Sequence, residues 1–153
     1  MTSAEKKLRE LGLDLPEVPK PVAAYVPAVR ADRFVYVSGQ LPLRDGRLTA
    51  TGKVGAEVSP EEAKEAARLA AINALAALRS VVGSLDAVVR IVKVTGYVAS
   101  APGFTGQPGV VNGASELLKD VFGEAGAHAR AAVGVAELPL GAPVEVELIA
   151  EVG

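Results

Sequence analysis

The sequence predicts an α+β fold, in which one mixed β-sheet carries two main helices on one face and a short helix precedes the sheet. Two segments with the 3.6-residue apolar period of amphipathic helices are flanked by segments in which apolar and polar residues alternate. The predicted order β-β-(β)-α-β-α-β-β is typical of a layered α+β domain. With 153 residues, half of them apolar, the chain is long enough for one domain with a real core.

We divide the chain into an N-terminal helix with an extended lead, residues 1–23, and a single domain, residues 24–153. Ser3 can cap a helix that runs to Leu11, and Gly12 can end it. The proline-rich segment DLPEVPKP that follows can neither continue a helix nor form a central strand. We therefore expect the helix to be an appendage of the domain.

The first strands are predicted as a β-hairpin, in which AAYVPAVR and RFVYVSGQLP flank a polar break at Ala31-Asp32. The second of these strands ends in Ser38-Gly39-Gln40. Gly39 can let the backbone approach a ligand and expose its amide, and a bulge or a plain strand end is the alternative explanation. A turn-rich loop containing Asp45-Gly46 then leads to the first long helix.

The strongest local pattern predicts a helix over residues 59–82. Ser59 and Glu62 have the spacing of a capping box, Pro60 stands at the first helical position, and Gly83 can end the helix. For Asn73, beside the apolar face, a buried hydrogen bond is expected rather than a catalytic role. The predicted buried face consists of Ala63, Ala66, Ala67, Ala70, Ala74, Ala77, Leu78 and Val81.

A strand, VVRIVKVTGYVAS, and a second helix complete the central part of the chain. The helix begins near Pro108, carries Asn112 in its first turn and stops at Gly123. Its apolar face is predicted to contain Val110, Ala114, Leu117, Leu118 and Val121. Strands such as VVRIVKV and RAAVGVA are apolar on both faces, so we expect the second face of the sheet to be buried by homo-oligomerisation.

The stretch His128 to Glu147 is predicted to form a β-hairpin that carries one arginine and two glutamates. Arg130 would share a strand face with Ala132 and Gly134, which leaves open space for a neighbouring subunit, a ligand or both. A guanidinium binds a carboxylate through two parallel hydrogen bonds, although such an arginine and glutamates are also typical of a surface pair. A turn near Leu140 would put Arg130 and Glu145 on opposite faces unless a bulge shifts the register.

Composition excludes several kinds of chemistry. The chain has no cysteine and a single histidine, which rules out thiolate or His-rich metal sites and a cysteine nucleophile. We expect His128 to be a polar residue at a strand edge rather than a base. A net charge of −2 argues against a nucleic-acid binder. The charged N-terminus and the lack of a long apolar run predict a soluble, cytoplasmic protein.

Several residues in order resemble those of the YjgF-type reactive-intermediate deaminases (Rid/RidA-like, also known as the L-PSP endoribonuclease family), in their longer branch. The resemblance extends from Tyr25 to Val152. The residues that carry it are Tyr25, Ser38-Gly39-Gln40 followed by Leu41-Pro42, Asn112, His128-Ala129-Arg130, Val135-Ala136-Glu137-Leu138-Pro139 and Val144-Glu145-Val146-Glu147.

The resemblance implies a chorismate-mutase-like fold, a homotrimer with clefts between subunits, and hydrolytic deamination of 2-imino or 2-enamino acids such as 2-aminoacrylate. By this resemblance Arg130 binds the substrate carboxylate and Glu145 orients the attacking water, without metal or cofactor. The cleft would be lined by Tyr25, Ser38, Gly39 and Asn112. The products would be a 2-oxo acid and ammonia.

Two residues near the arginine depart from the family pattern. Family deaminases commonly have a proline two residues before it and a cysteine two residues after it, where this chain has His128 and Ala132. These changes leave the arginine in place and alter the pocket wall. A non-catalytic protein that binds small carboxylates is the alternative function. The ribonuclease or translation-inhibitor activity attached to some relatives is poorly supported by one histidine and an acidic balance.

Overall fold

A computed structural model of the chain describes residues 3–18 and 24–153. The part of the predicted lead that contains Pro19 and Pro21 lies outside these residues. Among the described helices none is long and apolar enough to cross a membrane. The elements are α1 (Ala4–Glu10), β1 (Ala28–Ala31), β2 (Phe34–Gln40), β3 (Leu43–Arg44), β4 (Arg47–Leu48), α2 (Pro60–Val82), β5 (Val88–Ala99), α3 (Gln107–Phe122), β6 (Ala129–Val135) and β7 (Val144–Val152).

The main sheet has five strands in the order β1-β2-β7-β5-β6, and β3 with β4 forms a separate small ribbon. β6 pairs with β5 in parallel, whereas the other neighbours in the main sheet are antiparallel. The chain between the parallel strands β5 and β6 passes through α3, as a parallel connection requires. The predicted mixed sheet with helices on one face is confirmed.

The predicted hairpin of His128 to Glu147 is wrong, because β5 lies between β6 and β7. β7 instead occupies the centre of the sheet and pairs with both β2 and β5. The connection from β6 to β7, residues 136–143, contains a 3₁₀ turn at Pro139–Gly141 and is longer than an ordinary hairpin loop. β6 and β7 are therefore consecutive in the sequence but do not pair with each other.

The hairpin of β1 and β2 is confirmed, with Ala31 paired to Phe34 across the turn. On its other side β2 pairs with β7, and the register shifts between Val37 and Gln40. The shift places the Ser38-Gly39 pair outside the regular ladder. Gly39 thus lies at an irregularity of the strand, which was one of its two predicted explanations.

Helix α2 begins with the predicted capping box, since Ser59 Oγ accepts from the Glu62 amide at 3.1 Å and Glu62 accepts from the Ser59 amide at 3.4 Å. The predicted face is buried except for Val81, which is 37% exposed near the C-terminal end. Asn73 donates hydrogen bonds to the carbonyls of Leu41 and Leu43, both at 3.0 Å. The expectation of a structural role for this asparagine is confirmed.

Helix α3 packs so closely on α2 that only glycine fits at one point of contact. A Cβ atom on Gly113 would lie 2.9 Å from the carbonyl carbon of Lys64 and would collide with its oxygen. The predicted apolar residues of α3 are all buried in the helix layer. This backbone contact holds α3 close beside α2, and α3 also packs on β5 and β6.

Helix α1 is part of the packed body, which corrects its description as an appendage. Ala4 and Leu8 are buried in the main core, Leu8 with 2% of its surface exposed. The Glu5 carboxylate binds Arg79 of α2 at 3.0 Å and the Leu85 amide at 2.7 Å. Apolar burial and these polar contacts together hold the helix, a combination that its short sequence pattern does not predict.

The two faces of the sheet have different environments. Val35, Val94 and Leu148 point under α2 and α3 and are buried; we call this side the helix-covered face. The opposite side, which we call the helix-free face, exposes the apolar residues Val29, Tyr36 and Val133. An apolar face of this kind is typical of a protein interface.

Candidate active site

Arg130 is held on the helix-covered face of the edge strand β6. It is in register with Val94, a buried residue of that face, so its side chain points toward α3. Arg130 Nη1 donates to Asn112 Oδ1 at 2.7 Å and to Ser115 Oγ at 3.2 Å. Asn112 and Ser115 lie three residues apart and therefore on one side of the helix. The half-buried guanidinium thus has a defined orientation.

His128 extends this hydrogen-bonded group. Its Nε2 lies 2.8 Å from Ser115 Oγ, and its Nδ1 lies 2.6 Å from the carbonyl oxygen of Gly126. The residue stands just before β6 begins, in agreement with its prediction as a polar strand-edge residue. Sequence analysis did not identify Ser115, and the signal that could have found it is its spacing of three residues from Asn112.

The space predicted beside Arg130 is only partly open. Along the same strand face, Ala132 packs against a cluster of buried residues that includes Val98 and Val110. Near Gly134 an added Cβ atom would lie 2.9 Å from Gln107 Nε2 and 3.0 Å from Ser100 Oγ. The expectation of open volume is therefore wrong at Gly134, because the N-terminal end of α3 and the end of β5 fill it.

Glu145 lies on the helix-free face of β7. It is in register with Tyr97 of β5, and the residues on either side of it in β7, Val144 and Val146, are buried under the helices. Burial raises the pKa of the half-buried Glu145 carboxyl above its ordinary value, and the charge of Glu147 raises it further. A carboxyl in this environment can hold or take up a proton closer to neutral pH than an exposed glutamate does.

Tyr97 and Glu147 form a second polar pair on the helix-free face. The Tyr97 hydroxyl donates a short hydrogen bond to Glu147 Oε1. This bond, followed by burial and the charges of Glu147 and Glu145, raises the pKa of Tyr97 to about 12. Tyr97 consequently keeps its proton and serves as a donor to Glu147.

Gly39 lies against Glu145, and Ser38 connects its strand to the segment that carries Tyr25. A Cβ atom on Gly39 would lie 2.8 Å from Glu145 Cδ and would collide with its Oε2, so the glycine makes room for the carboxylate. Ser38 Oγ donates to the Val26 carbonyl at 2.7 Å and ties the segment that carries Tyr25 to β2. The Tyr25 side chain is 49% exposed.

The predicted site residues therefore form two groups in one chain. Arg130 and Asn112 are in contact on the helix-covered face, whereas Glu145 lies over Gly39 on the helix-free face. β5 lies between β6 and β7, so the two groups are separated by a strand as well as by the sheet itself. Arg130 and Glu145 lie on opposite faces of the sheet, which agrees with the sequence prediction, although they do not belong to one hairpin.

The five-stranded mixed sheet with its helix layer defines the class of chorismate-mutase-like α+β proteins. The family model "YjgF/chorismate mutase-like, putative endoribonuclease" matches residues 5–152. The chain belongs to this family.

Individual relatives support the same assignment. Protein TCP17 of Trypanosoma cruzi is 45% identical over 94% of this chain and 91% of its own length. The 2-iminobutanoate/2-iminopropanoate deaminase of Mus musculus is 34% identical over 90% of this chain and 87% of its own length. The crystal structure of Atu1372 from Agrobacterium tumefaciens, described as having unknown function, has a TM-score of 0.91 at 45% identity and covers 98% of this chain and 92% of its own.

Proposed function

We propose that this protein is a hydrolytic deaminase of 2-imino and 2-enamino acids of the 2-aminoacrylate type. The observation that carries the proposal is the guanidinium of Arg130, which Asn112 and Ser115 hold in one orientation at the edge of the sheet. The name of the mouse relative, an imine deaminase, gives the class of substrate. The reaction adds water to the C=N carbon and releases a 2-oxo acid and ammonia.

In this proposal Arg130 anchors the substrate carboxylate. A guanidinium can offer a carboxylate two parallel N–H donors, which fixes both the position and the orientation of the ligand. The half-buried position of Arg130 strengthens this interaction relative to one in bulk water. The anchored substrate then presents its imine carbon in a defined place, and Asn112 forms part of the surrounding wall.

Glu145 supplies the water chemistry. Its raised pKa favours exchange of a proton with water near neutral pH, because Glu145 binds a proton more tightly than an exposed carboxyl does. In its ionised form it accepts a hydrogen bond from the attacking water. Gly39 leaves room for this carboxylate and offers a backbone amide to the substrate, while Ser38 and Tyr25 line the same side of the cleft.

We further propose a homotrimer in which each cleft lies between two subunits. Two observations support this assembly: the exposed apolar helix-free face, and the position of Arg130 and Glu145 on opposite faces of one sheet. In a ring of subunits, the β6 edge of one chain can face the Glu145 surface of the next. Each cleft would then contain one Arg130 and one Glu145 from different chains.

The test of the activity is an imine hydrolysis assay. 2-Iminobutyrate and 2-iminopropionate are generated in situ, and their loss is followed with wild-type protein and with Arg130→Ala. We expect the wild type to accelerate loss of the imine and the variant to be far less efficient at the same substrate concentration. Equal performance of the two proteins, or no acceleration by the wild type, would reject the mechanism.

The assembly of the cleft can be tested by mixing inactive subunits. Arg130→Ala and Glu145→Gln chains are unfolded together in equal amounts and refolded, with each variant refolded alone as the control. If the two residues of a cleft come from different chains, about a quarter of the clefts in random trimers are intact, and activity returns in that proportion. Activity no higher than that of the single variants would place both residues of a cleft in one subunit.

A second candidate function is non-catalytic binding of small carboxylates. It is favoured by the separation of Arg130, the anchor, from Glu145 within the chain, since an anchor alone can bind without turnover. Calorimetric binding of 2-oxobutyrate by a protein that fails the imine assay would select this function. Turnover that depends on both residues would exclude it.

A further inference from the structure

The hydrogen bonds of Arg130 leave one edge of its guanidinium available. Both bonds start from Nη1, one to Asn112 Oδ1 and one to Ser115 Oγ, and so they use both hydrogens of that nitrogen. Within residues 3–18 and 24–153, Nε and Nη2 form no further hydrogen bond. These two nitrogens make up the side-on edge that can bind a carboxylate through two parallel bonds.

The direction of each bond around His128 follows from its partners. The Gly126 carbonyl can only accept, so Nδ1 of His128 carries a proton and donates to it. Ser115 Oγ accepts from Arg130, and its own hydroxyl proton is then free to point at His128 Nε2, 2.8 Å away. A neutral imidazole with its proton on Nδ1 satisfies every member of this chain of bonds.

We propose that Ser115 and His128 are positioning residues for Arg130, which set the rotation of the guanidinium so that its Nε–Nη2 edge faces the substrate carboxylate. This inference rests on the proposed function, since it assigns the carboxylate to Arg130. Asn112 alone would leave rotation about a single hydrogen bond. Ser115 supplies the second acceptor, and His128 determines which way the Ser115 hydroxyl points.

The placement of the three residues explains why they act together. Ser115 lies on α3, whereas His128 immediately precedes β6 and Arg130 lies within it, so the bonds join the helix to the edge strand. His128 is anchored at its far side by the Gly126 carbonyl, which belongs to the 3₁₀ turn between these elements. All three side chains are half-buried, which limits competition from solvent.

Steady-state kinetics with 2-iminobutyrate test the proposal. Ser115→Ala is expected to raise KM about 10-fold and to leave kcat within about threefold, because a lost hydrogen bond to a charged group misorients the anchor rather than the water. His128→Leu is expected to act in the same direction with a smaller effect, about threefold. Ser80→Ala is the matched control, since the Ser80 hydroxyl donates to a carbonyl of its own helix, that of Ala77.

Conservative variants separate positioning from general damage to the fold. Ser115→Thr keeps a hydroxyl, and His128→Gln keeps an acceptor at the approximate reach of Nε2. Both are expected to restore KM to within about twofold of the wild type. Failure of both rescues, with thermal midpoints equal to that of the wild type, would overturn the positioning role.

The single histidine gives a direct spectroscopic check. In protein labelled with ¹⁵N-histidine, the only imidazole signal belongs to His128. We expect the spectrum of a neutral ring protonated at Nδ1, with an Nε2 shift that changes in Ser115→Ala. A ring protonated at Nε2 alone in the wild type would overturn the assigned direction of the bonds.

Calorimetry with 2-oxobutyrate separates failure of this inference from failure of the proposed function. Binding by the wild type that weakens about 10-fold in Ser115→Ala supports the positioning role. Equal affinity in wild type, Ser115→Ala and His128→Leu overturns that role and leaves the proposed function intact. A wild type that neither binds 2-oxobutyrate nor consumes the imine overturns both.

Discussion

Arg130 and Glu145 lie in two different environments. On the helix-covered face, Arg130 is oriented by hydrogen bonds to Asn112 and Ser115. On the helix-free face, burial and the charge of Glu147 act on Glu145, and no hydrogen bond contributes to its raised pKa. The single chain thus orients a group suited to binding, whereas within residues 3–18 and 24–153 no hydrogen bond orients the Glu145 carboxylate.

The largest expected effect comes from removal of the oriented group. Arg130→Ala should lower kcat/KM by about 10³-fold, equivalent to about 4 kcal/mol, because a half-buried carboxylate loses its paired cation. The loss should appear mainly in KM. Arg9→Ala, at an exposed position in α1, is the control and should match the wild type. A loss confined to kcat would contradict a binding role for the helix-covered face.

Replacement of the second group should affect turnover instead. Glu145→Gln keeps the size of the side chain and removes its ability to take a proton, so kcat should fall about 10²-fold with little change in KM. Glu10→Gln, an exposed glutamate of α1, provides the control. If KM rises while kcat stays constant, Glu145 contacts the substrate without acting on water.

A smaller effect is expected when the Glu145 carboxylate is displaced without loss of its charge. In Gly39→Ala the new methyl group would occupy the position of the carboxylate, which must swing away at the end of its flexible side chain. We expect kcat to fall about 10-fold, as displacement of a catalytic group does, while the thermal midpoint stays close to that of the wild type. Gly109→Ala is the matched control, because a Cβ atom there meets no neighbour within 4 Å.

The pH profile should report the charge environment of Glu145. In the proposed mechanism the ionised carboxylate accepts the hydrogen bond from water, so kcat/KM should rise with pH through a pKa above the ordinary glutamate value. Glu147→Gln removes the second cause of the raised pKa and should move this acid limb to lower pH. The comparison with the wild type on the same substrate cancels any titration of the substrate. An unmoved limb would show that the limb does not belong to Glu145.

The smallest effect concerns stability, and its sign follows from the raised pKa. Because the folded chain binds the Glu145 proton more tightly than the unfolded chain does, this group favours folding below its unfolded pKa. That contribution is lost as the pH rises through the folded value. Glu145→Gln should therefore raise the thermal midpoint at pH 7 and leave it nearly unchanged at pH 4. A lower midpoint at pH 7 would contradict the cost assigned to the ionised carboxylate.

Local sequence patterns predicted the helices and the first hairpin because the deciding interactions are close in sequence. The capping box of Ser59 and Glu62 and the turn between β1 and β2 are examples. The pairing of β7 with β5 and β2 depends on segments that are distant in sequence. No short sequence pattern predicts that β5 lies between β6 and β7. Of the two residues of α3 that bind Arg130, the sequence analysis identified Asn112 and did not identify Ser115.

The family resemblance identified the fold that local patterns left incomplete. It also named Arg130 and Glu145 together, although the sheet places them on different faces. A family resemblance indicates which residues belong to the site. The structure of a single chain shows the contacts that orient each of them. The role of each residue stays a prediction until the variants described above are measured.

The close contact at Gly113 makes the position of the Arg130 partners in α3 depend on the packing of the two helices. Gly113 follows Asn112 directly, and its missing side chain lets the backbone of α3 meet the Lys64 carbonyl. Any larger residue there would push α3 away from α2 and would shift Asn112 and Ser115 with it. The orientation of Arg130 therefore depends on how closely α2 and α3 pack at Gly113. Substitutions designed to change the substrate range should leave Gly113 unchanged.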